Sequence, residues 1–210
     1  MEAARQNLTH DGALARDRMD EARERDRVDG PRERDRMDGA RERAKRLKLM
    51  IFDVDGVMTD GALYYSGRGE ELKVFNIQDG HGVKMLRQYG VEVALITGRR
   101  SRAVELRAAN LGVTHVFQGA EDKRGAYAAL LAQLELATEQ SGYMGDDLID
   151  LPLITRCGFA ATVSAAPEAV RSRSHYIARA GGGHGAVREV CEFILDAQGL
   201  LARAIEAHLR

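Results

Sequence analysis

The 210-residue chain has few cysteines, no long apolar run and no excess of one charge. Its two cysteines, Cys157 and Cys191, match no metal-ligand spacing, so we expect both to be reduced core residues. The 31 Lys and Arg residues nearly balance 32 Asp and Glu residues, which argues against a nucleic-acid partner. No apolar run approaches the roughly 20 residues that span a bilayer, and the N-terminus has no hydrophobic export signal. We therefore expect a cytoplasmic protein without a membrane partner.

The first 46 residues also lack aromatic side chains, and they carry a charged repeat. Tetrapeptides of the form Asp-Arg-Met-Asp or Asp-Arg-Val-Asp begin at Asp17, Asp26 and Asp35. A segment with so little to bury does not recover the entropy cost of ordering. Residues 1–46 are therefore predicted to form a disordered tail. The alternatives are a charged docking helix, stabilised by pairs of opposite charge, and a start codon placed too early.

From residue 47 onwards, short apolar runs alternate with longer amphipathic stretches, which is typical of an α/β domain. The apolar runs are LKLMIFDV, VEVALIT, THVF, SGYMG, GFAATV and HYIA. Helical patterns lie near residues 80–89, 100–111, 122–135, 147–155, 167–172 and 185–197. Such strands predict a mostly parallel sheet covered on both faces, a Rossmann-like three-layer sandwich. We expect this domain to span residues 47–198, with a C-terminal helical tail over residues 199–210.

One segment breaks the alternation of strands and helices. Residues 61–76 contain two β-rich runs around Ser66-Gly67-Arg68-Gly69, which predicts a β-hairpin inserted after the first strand. Open parallel sheets bind ligands at the carboxyl ends of their strands. Chemistry is therefore expected where the apolar runs end.

Carboxylates follow two of the apolar runs. Asp53 and Asp55 end the first run, and their mutual repulsion calls for a cation or a shared proton. Asp146, Asp147 and Asp150 follow the fourth run and suit a hard, oxygen-preferring cation such as Mg²⁺. The structural alternatives are a helix cap followed by an Asp-Gly turn for the first pair, and an acidic helix N-terminus for the second group.

Two further runs end in groups that can hold phosphate. Thr97, Gly98 and Arg99 follow the second run and offer a hydroxyl, a backbone amide and a guanidinium group. Lys123 follows the third run at the start of a predicted helix. Taken singly, Thr97 is equally consistent with a helix N-cap and Lys123 with a solvated surface lysine.

The order of these motifs along the chain resembles the haloacid dehalogenase-type phosphatase superfamily. Within it, longer motifs are similar to those of the 3-deoxy-D-manno-octulosonate 8-phosphate phosphatases, namely DVDGVMTDGALYY, GEELKVFNIQDGHG, ITGRR, GDDLIDLP and GGGHGAVREVC. The similarity runs from Leu47 to Gln198 and excludes the charged tail. The resemblance implies a Mg²⁺-dependent phosphoric monoester hydrolase of lipopolysaccharide precursor synthesis.

The resemblance also implies a role for each catalytic residue. Asp53 attacks phosphorus, and Asp55 protonates the departing sugar oxygen and later deprotonates water. Thr97 and Lys123 stabilise the transferring phosphoryl group. Mg²⁺ is held by the Asp53 carboxylate, the backbone carbonyl of Asp55 and Asp146. Substrate contacts are implied for a larger set: Asp55, Asn76, Ile77, Gln78, Asp79, Gly80, Lys84, Arg99, Arg107 and Lys123.

The spacing of the motifs leaves no room for a cap domain. Asp55 and Thr97 are 42 positions apart, and Thr97 and Lys123 are 26 apart. A capless site is open to water, so either the substrate is large or another subunit closes the site. The resemblance implies a homotetramer whose hairpins assemble together and whose Gly-rich C-terminal segment reaches a neighbouring site. His184 in that segment departs from the expected Gly-Gly-Arg-Gly pattern.

Three rival functions remain open at this point. The nearest is the same chemistry on a neuraminate-type 9-phosphate. A phospho-accepting receiver domain is a different class, but such domains carry the acidic residue after the third strand. A catalytically idle scaffold is the third, and the intact Asp53 and Asp55 argue against it.

Overall fold

The structure, a computed structural model, describes residues 34–209. Its eight strands are β1 (Leu49–Phe52), β2 (Tyr64–Tyr65), β3 (Glu71–Leu72), β4 (Glu92–Thr97), β5 (His115–Gln118), β6 (Ser141–Met144), β7 (Phe159–Val163) and β8 (Tyr176–Ala178). Its helices are α1 (residues 34–44), α2 (Ile77–Gln88), α3 (Arg102–Leu111), α4 (Lys123–Leu134), α5 (Leu151–Ile154), α6 (Glu168–Arg171), α7 (Ala186–Ala197) and α8 (Leu201–Glu206). Two 3₁₀ turns lie at Thr138–Gln140 and Leu148–Asp150.

Six strands form one parallel sheet in the order β5-β4-β1-β6-β7-β8. Strand β1 lies in the middle, where every one of its residues is buried. Strands in such a position need apolar side chains on both faces, because helices cover both sides of the sheet. Helices α2 and α7 pack against each other, as do α4 and α5. The predicted Rossmann-like α/β sandwich with a mostly parallel sheet is confirmed.

The six predicted apolar runs all coincide with strands of this sheet. The predicted helix near residues 147–155 differs, because a 3₁₀ turn at Leu148–Asp150 precedes the short helix α5. Asp147 caps that turn by accepting a hydrogen bond from the Leu148 N–H at 2.7 Å. The turn draws the Asp150 side chain into the interior, where it is fully buried.

The predicted hairpin is present as the antiparallel pair β2 and β3, with Tyr64 opposite Leu72. Gly69 closes the turn with φ of 80°, and its N–H donates to the Ser66 carbonyl at 2.9 Å. Several large apolar side chains in and beside this hairpin are exposed: Leu63, Tyr64, Tyr65, Leu72, Val74 and Ile77.

Residues 39–46 differ from the predicted disordered tail. Residues 39–209 belong to one compact unit, and within it the end of helix α1 packs on the core. Ala40 and Ala44 are 1% and 0% exposed, and Arg41 pairs with Asp196 at 2.5 Å. The small side chains of Ala40 and Ala44 allow helix α1 to approach the core closely, and the charged composition of the segment gives no indication of this contact. Of residues 1–38, the structure describes only 34–38, which are helical, and the prediction for residues 1–33 lies outside the described part.

A membrane-crossing helix is absent from residues 34–209, since none of their helices combines sufficient length with sufficient apolar character.

Candidate active site

The carboxyl ends of the central strands bring the predicted catalytic residues to one edge of the sheet. Asp53 directly follows β1, Asp146 lies two positions after β6, and Thr97 ends β4. Strand β1 pairs in register with both neighbours, Phe52 standing beside Leu95 and Met144. These three residues therefore converge because of strand order, although their motifs are far apart in the sequence.

Lys123 forms a buried ion-pair network with two carboxylates. As the first residue of α4, it places Nζ 2.6 Å from both Asp53 Oδ2 and Asp150 Oδ1. Nζ also donates to the Tyr143 hydroxyl at 3.1 Å. Burial by itself lowers the pKa of Lys123, but the charges of Asp53 and Asp150 outweigh it and raise the pKa above the usual value. Lys123 is thus a fixed cation beside Asp53 rather than a solvated surface lysine.

Asp150, which the sequence groups with Asp146 and Asp147 as a cation ligand, has a different role in the structure. Its Oδ1 accepts hydrogen bonds from Lys123 and from the Tyr143 hydroxyl, the latter at 2.5 Å. Its Oδ2 accepts from the backbone N–H groups of Asp146 at 2.9 Å and Asp147 at 3.1 Å. All four acceptor positions of the carboxylate are therefore used. Asp150 holds Lys123 and the Asp146 loop in place, and its oxygens are not free to bind a metal.

Asp53, Asp146 and Asp150 form the one group of three potential ligand side chains in residues 34–209 whose ligand oxygens lie within 4.8 Å of one another. Burial and the charge of Asp150 raise the pKa of Asp53 to about 6. Burial and the charges of Asp150 and Asp53 raise the pKa of Asp146 to about 7. Such shifts mark an anionic cluster that a divalent cation would neutralise. The residues present therefore fit Mg²⁺, with Asp53 and Asp146 as the available carboxylates.

Asp55 belongs to a second charge network, which comes from the hairpin. Lys73 Nζ is ion-paired with Asp55 Oδ1 and lies 2.9 Å from Glu71 Oε1. The Lys73 side chain is only 4% exposed. Arg99 pairs with Glu71 and lies 4.0 Å from Asp55 Oδ2. The sequence contains no sign of a role for Lys73 or Glu71, because nothing in a hairpin lysine indicates a contact with Asp55, 18 positions earlier.

Two glycines allow a close approach that the site requires. Gly56 has φ of 85°, and a Cβ atom there would lie 1.9 Å from Asp146 Oδ2. A Cβ atom on Gly182 would lie 1.9 Å from the Gly56 carbonyl oxygen. The Gly-rich segment at residues 181–185 thus lies against the loop that follows Asp55 in its own chain.

Five of the predicted substrate-contact residues, Asn76 to Gly80, lie at the start of α2. Asn76 caps this helix by accepting from the Gln78 N–H at 2.7 Å, while Ile77, Gln78 and Lys84 are exposed. Arg107 Nη2 donates to the Asn76 carbonyl at 2.7 Å, and Gly80 is the residue that gives this guanidinium room.

The Asp79 side chain is buried and hydrogen-bonded within the fold. It is 1% exposed, and its oxygens accept from the N–H groups of Arg188 at 2.8 Å and Gly185 at 3.3 Å. This contact joins the start of α2 to the start of α7, so the Asp79 carboxylate is engaged within the fold.

Comparisons with known proteins agree with this geometry. The chain is 48% identical over 161 residues to the 3-deoxy-D-manno-octulosonate 8-phosphate phosphatase KdsC of Yersinia pestis, covering 77% of this chain and 86% of that protein. It is 46% identical, with the same coverage, to the protein of that name from Escherichia coli K12. A scan against models of protein families finds no match.

Solved structures include a 3-deoxy-D-manno-octulosonate 8-phosphate phosphatase from Moraxella catarrhalis, in complex with magnesium, phosphate and a KDO molecule. It superposes with a TM-score of 0.79 at 42% identity, covering 80% of this chain and 97% of that one. Identity at this level over most of both chains establishes common ancestry and fold. The chain belongs to the 3-deoxy-D-manno-octulosonate 8-phosphate phosphatase family of the haloacid dehalogenase-type superfamily.

Proposed function

We propose that this chain hydrolyses 3-deoxy-D-manno-octulosonate 8-phosphate to the free sugar acid and phosphate, through an aspartyl-phosphate on Asp53, in lipopolysaccharide precursor synthesis. The observation that carries the proposal is the buried Asp53 carboxylate, paired with Lys123 and adjacent to Asp146 at the carboxyl edge of the sheet. The relatives described above are named as phosphatases of this sugar phosphate, and this supports the choice of substrate. A cytoplasmic location is part of the same proposal.

The geometry supports a division of labour among the side chains. Asp53 is the nucleophile, because it directly follows the central strand β1 and belongs to the carboxylate cluster. Lys123 and Thr97 stabilise the transferring phosphoryl group. Asp55 donates a proton to the leaving sugar oxygen and then accepts one from the water that attacks the aspartyl-phosphate. Asp53, Asp146 and the Asp55 backbone carbonyl would hold Mg²⁺. The ion would supply positive charge that offsets the negative charge of the phosphoryl oxygens.

The substrate would lie between the start of α2 and the hairpin. Ile77 and Gln78 are exposed at the start of α2, so their side chains are available to the substrate, while Asn76, Asp79 and Gly80 shape the turn. Lys84, Arg99 and Arg107 supply the cations for a sugar acid. Arg99 is paired with Glu71 here, so a substrate carboxylate or phosphate would compete with that carboxylate for the guanidinium group.

Replacing Asp53 tests the proposal directly. Asp53→Asn keeps the shape of the side chain but removes the nucleophile, so phosphate release from 3-deoxy-D-manno-octulosonate 8-phosphate should fall by a factor of about 10⁴ or more. Wild-type release should require Mg²⁺ and be abolished by EDTA. A panel that includes a neuraminate-type 9-phosphate identifies the preferred sugar acid. Activity of the variant within about a hundredfold of wild type would make another residue the nucleophile.

We also propose that the chain assembles as a homotetramer through its hairpins. The support is the set of exposed apolar side chains on and beside β2 and β3, since Leu72, Val74 and Tyr65 are 57%, 63% and 59% exposed. Exposed apolar groups of this size gathered in one short element are typical of an interface. Light scattering should therefore show four chains for the wild type and a smaller particle for Leu72→Lys/Val74→Lys. A control variant on another surface, Leu106→Lys, should keep the wild-type mass.

A further inference from the structure

A cavity lies at the opposite edge of the sheet from the catalytic residues. Its volume is about 420 Å³, and it is lined by residues that precede three parallel strands: Glu139 before β6, Gly158 before β7 and His175 before β8. Because parallel strands run from this edge to the other, the cavity and the carboxylate cluster are at opposite ends of the same strands. The cavity is therefore separate from the proposed active site.

Three arginines give this cavity a positive lining. Arg43 comes from α1, Arg156 follows α5 and Arg173 follows α6. Across residues 34–209, no carboxylate lies within ion-pair distance of any of these guanidinium groups. Glu139 is the one acidic side chain in the lining, so three positive charges face one negative charge.

The guanidinium groups are held in place but retain most of their donors. Arg43 Nη1 donates to the Gly158 carbonyl at 3.0 Å, and Arg156 Nη1 donates to the Pro152 carbonyl at 2.7 Å. Arg173 Nη1 donates to the Ala169 carbonyl at 2.9 Å. A guanidinium group has five N–H donors, so most of those in each remain available to a ligand.

His175 adds an uncharged donor. Its Nδ1 accepts a hydrogen bond from the Ala160 N–H at 2.8 Å, so the proton of the neutral ring is on Nε2. Burial and the charge of Arg43 lower the pKa of His175 to about 4, so the ring is neutral at physiological pH. The positive lining therefore comes from the arginines and does not vary near neutrality.

We propose that this cavity, which we name the arginine pocket, is a binding site for a phosphorylated small molecule that carries at least two negative charges. Guanidinium groups match phosphate oxygens in pairs, which favours phosphate over other anions. A cavity of about 420 Å³ exceeds a single phosphate and lies within the size range of small-molecule sites. The site does not depend on the proposed phosphatase activity, because it shares no residue with the catalytic edge.

Titration calorimetry with inorganic pyrophosphate tests the arginine pocket. The full-length protein is used in EDTA, so that no magnesium draws the probe to the carboxylate cluster. Wild type should show saturable binding, and Arg156→Gln/Arg173→Gln should weaken it about tenfold or more, because two guanidinium groups that donate charge-assisted hydrogen bonds are lost. The matched control, Arg102→Gln/Arg203→Gln, changes net charge equally at two exposed arginines outside the pocket and should bind like wild type.

Glu139→Gln provides a readout of opposite sign. Removing the carboxylate from the lining should tighten pyrophosphate binding, which a general loss of folding could not do. The Glu139→Gln variant also tests pyrophosphate binding in the arginine pocket if the double arginine variant folds poorly. Absence of saturable binding to wild type, equal weakening by the control pair, or no tightening by Glu139→Gln would each overturn the proposal.

Discussion

At the scale of single residues, the buried charged side chains of the site, Asp53, Lys123 and Asp150, are paired with one another. Lys123 has two carboxylate partners, and Asp150 satisfies Lys123, a tyrosine hydroxyl and two backbone N–H groups at once. A buried ion pair contributes little in net terms, but removing one partner is costly because it leaves the other uncompensated. Asp150 should therefore matter for stability as well as for the position of Lys123.

Asp150→Asn is expected to lower the free energy of unfolding by about 3 kcal/mol. The amide cannot accept from Lys123 with a full charge, although relief of repulsion on Asp53 and Asp146 offsets part of the loss. Turnover should fall about a hundredfold, as when a fixed transition-state donor is lost. Urea denaturation and phosphate release measure the two effects.

Asp147→Asn is the matched control for this prediction. Asp147 lies in the same loop, but it is exposed and caps the 3₁₀ turn, a role that Asn fills about equally well. Its stability should change by less than about 0.5 kcal/mol. Equal losses in the two variants would show that Asp150 contributes no more than a loop residue.

The residues that the sequence indicated are those whose position follows from a strand end. Asp53, Thr97, Lys123 and Asp146 each lie at or after the end of an apolar run, and the resemblance of their order to the superfamily motifs implies their roles. Asp150 was visible only as one of three nearby carboxylates, and nothing in that pattern says which one turns inward. The 3₁₀ turn determines that the Asp150 side chain points inward, and hydrophobic periodicity does not predict the geometry of such a turn.

At the scale of elements, the end of α1 shows how composition can mislead. The charged repeat has few apolar residues, yet Ala40 and Ala44 are fully buried and Arg43 donates to the Gly158 carbonyl. Gln198 Nε2 also donates to the Ala44 carbonyl at 3.1 Å. Alanine leaves almost no side-chain signal in a hydropathy pattern, so a helix that docks through alanines resembles a solvated one. The strands, by contrast, were predicted because they are apolar throughout.

The variant Ala44→Asp tests whether the end of helix α1 packs on the core or belongs to a free tail. A carboxylate at this fully buried position should lower the free energy of unfolding by at least about 2 kcal/mol, because the charge has no partner there. Ala109→Asp places the same change in the last turn of α3, at an exposed alanine, and should have a small effect. Thermal or urea unfolding of both variants gives the comparison. Equal stability of the two would support the tail as the sequence predicted it.

At the scale of the whole molecule, the order of strands in the sheet creates the carboxylate cluster. Apolar runs predict that strands exist, but they do not state that β1 lies between β4 and β6. That order is what brings Asp53 next to Asp146. Helices cover the cluster enough to raise the pKa values of both carboxyl groups, so the folded protein holds protons there that the unfolded chain does not.

The pH dependence of magnesium binding follows from these raised pKa values. In the folded, metal-free protein the pKa of Asp146 is about 7 and that of Asp53 about 6, against 3.8 for a free Asp. A carboxyl with a raised pKa contributes stability that is lost as pH rises from its unfolded value to its folded value, so metal-free protein should lose stability from about pH 4 to about pH 7. Mg²⁺ needs the ionised carboxylates, so its binding releases protons and should be about tenfold weaker at pH 6 than at pH 8.

Thermal shift measurements at fixed Mg²⁺ concentrations test this linkage. The rise in melting temperature caused by Mg²⁺ should be larger at pH 8 than at pH 6, because protons compete for the same carboxylates at the lower pH. Comparing each pH with and without Mg²⁺ cancels groups away from the cluster, such as His175, whose pKa is about 4. Asp146→Asn removes the group with the higher pKa and should weaken the shift at both pH values. A magnesium affinity that is the same at pH 6 and pH 8 would mean that the cation binds elsewhere than at Asp53 and Asp146.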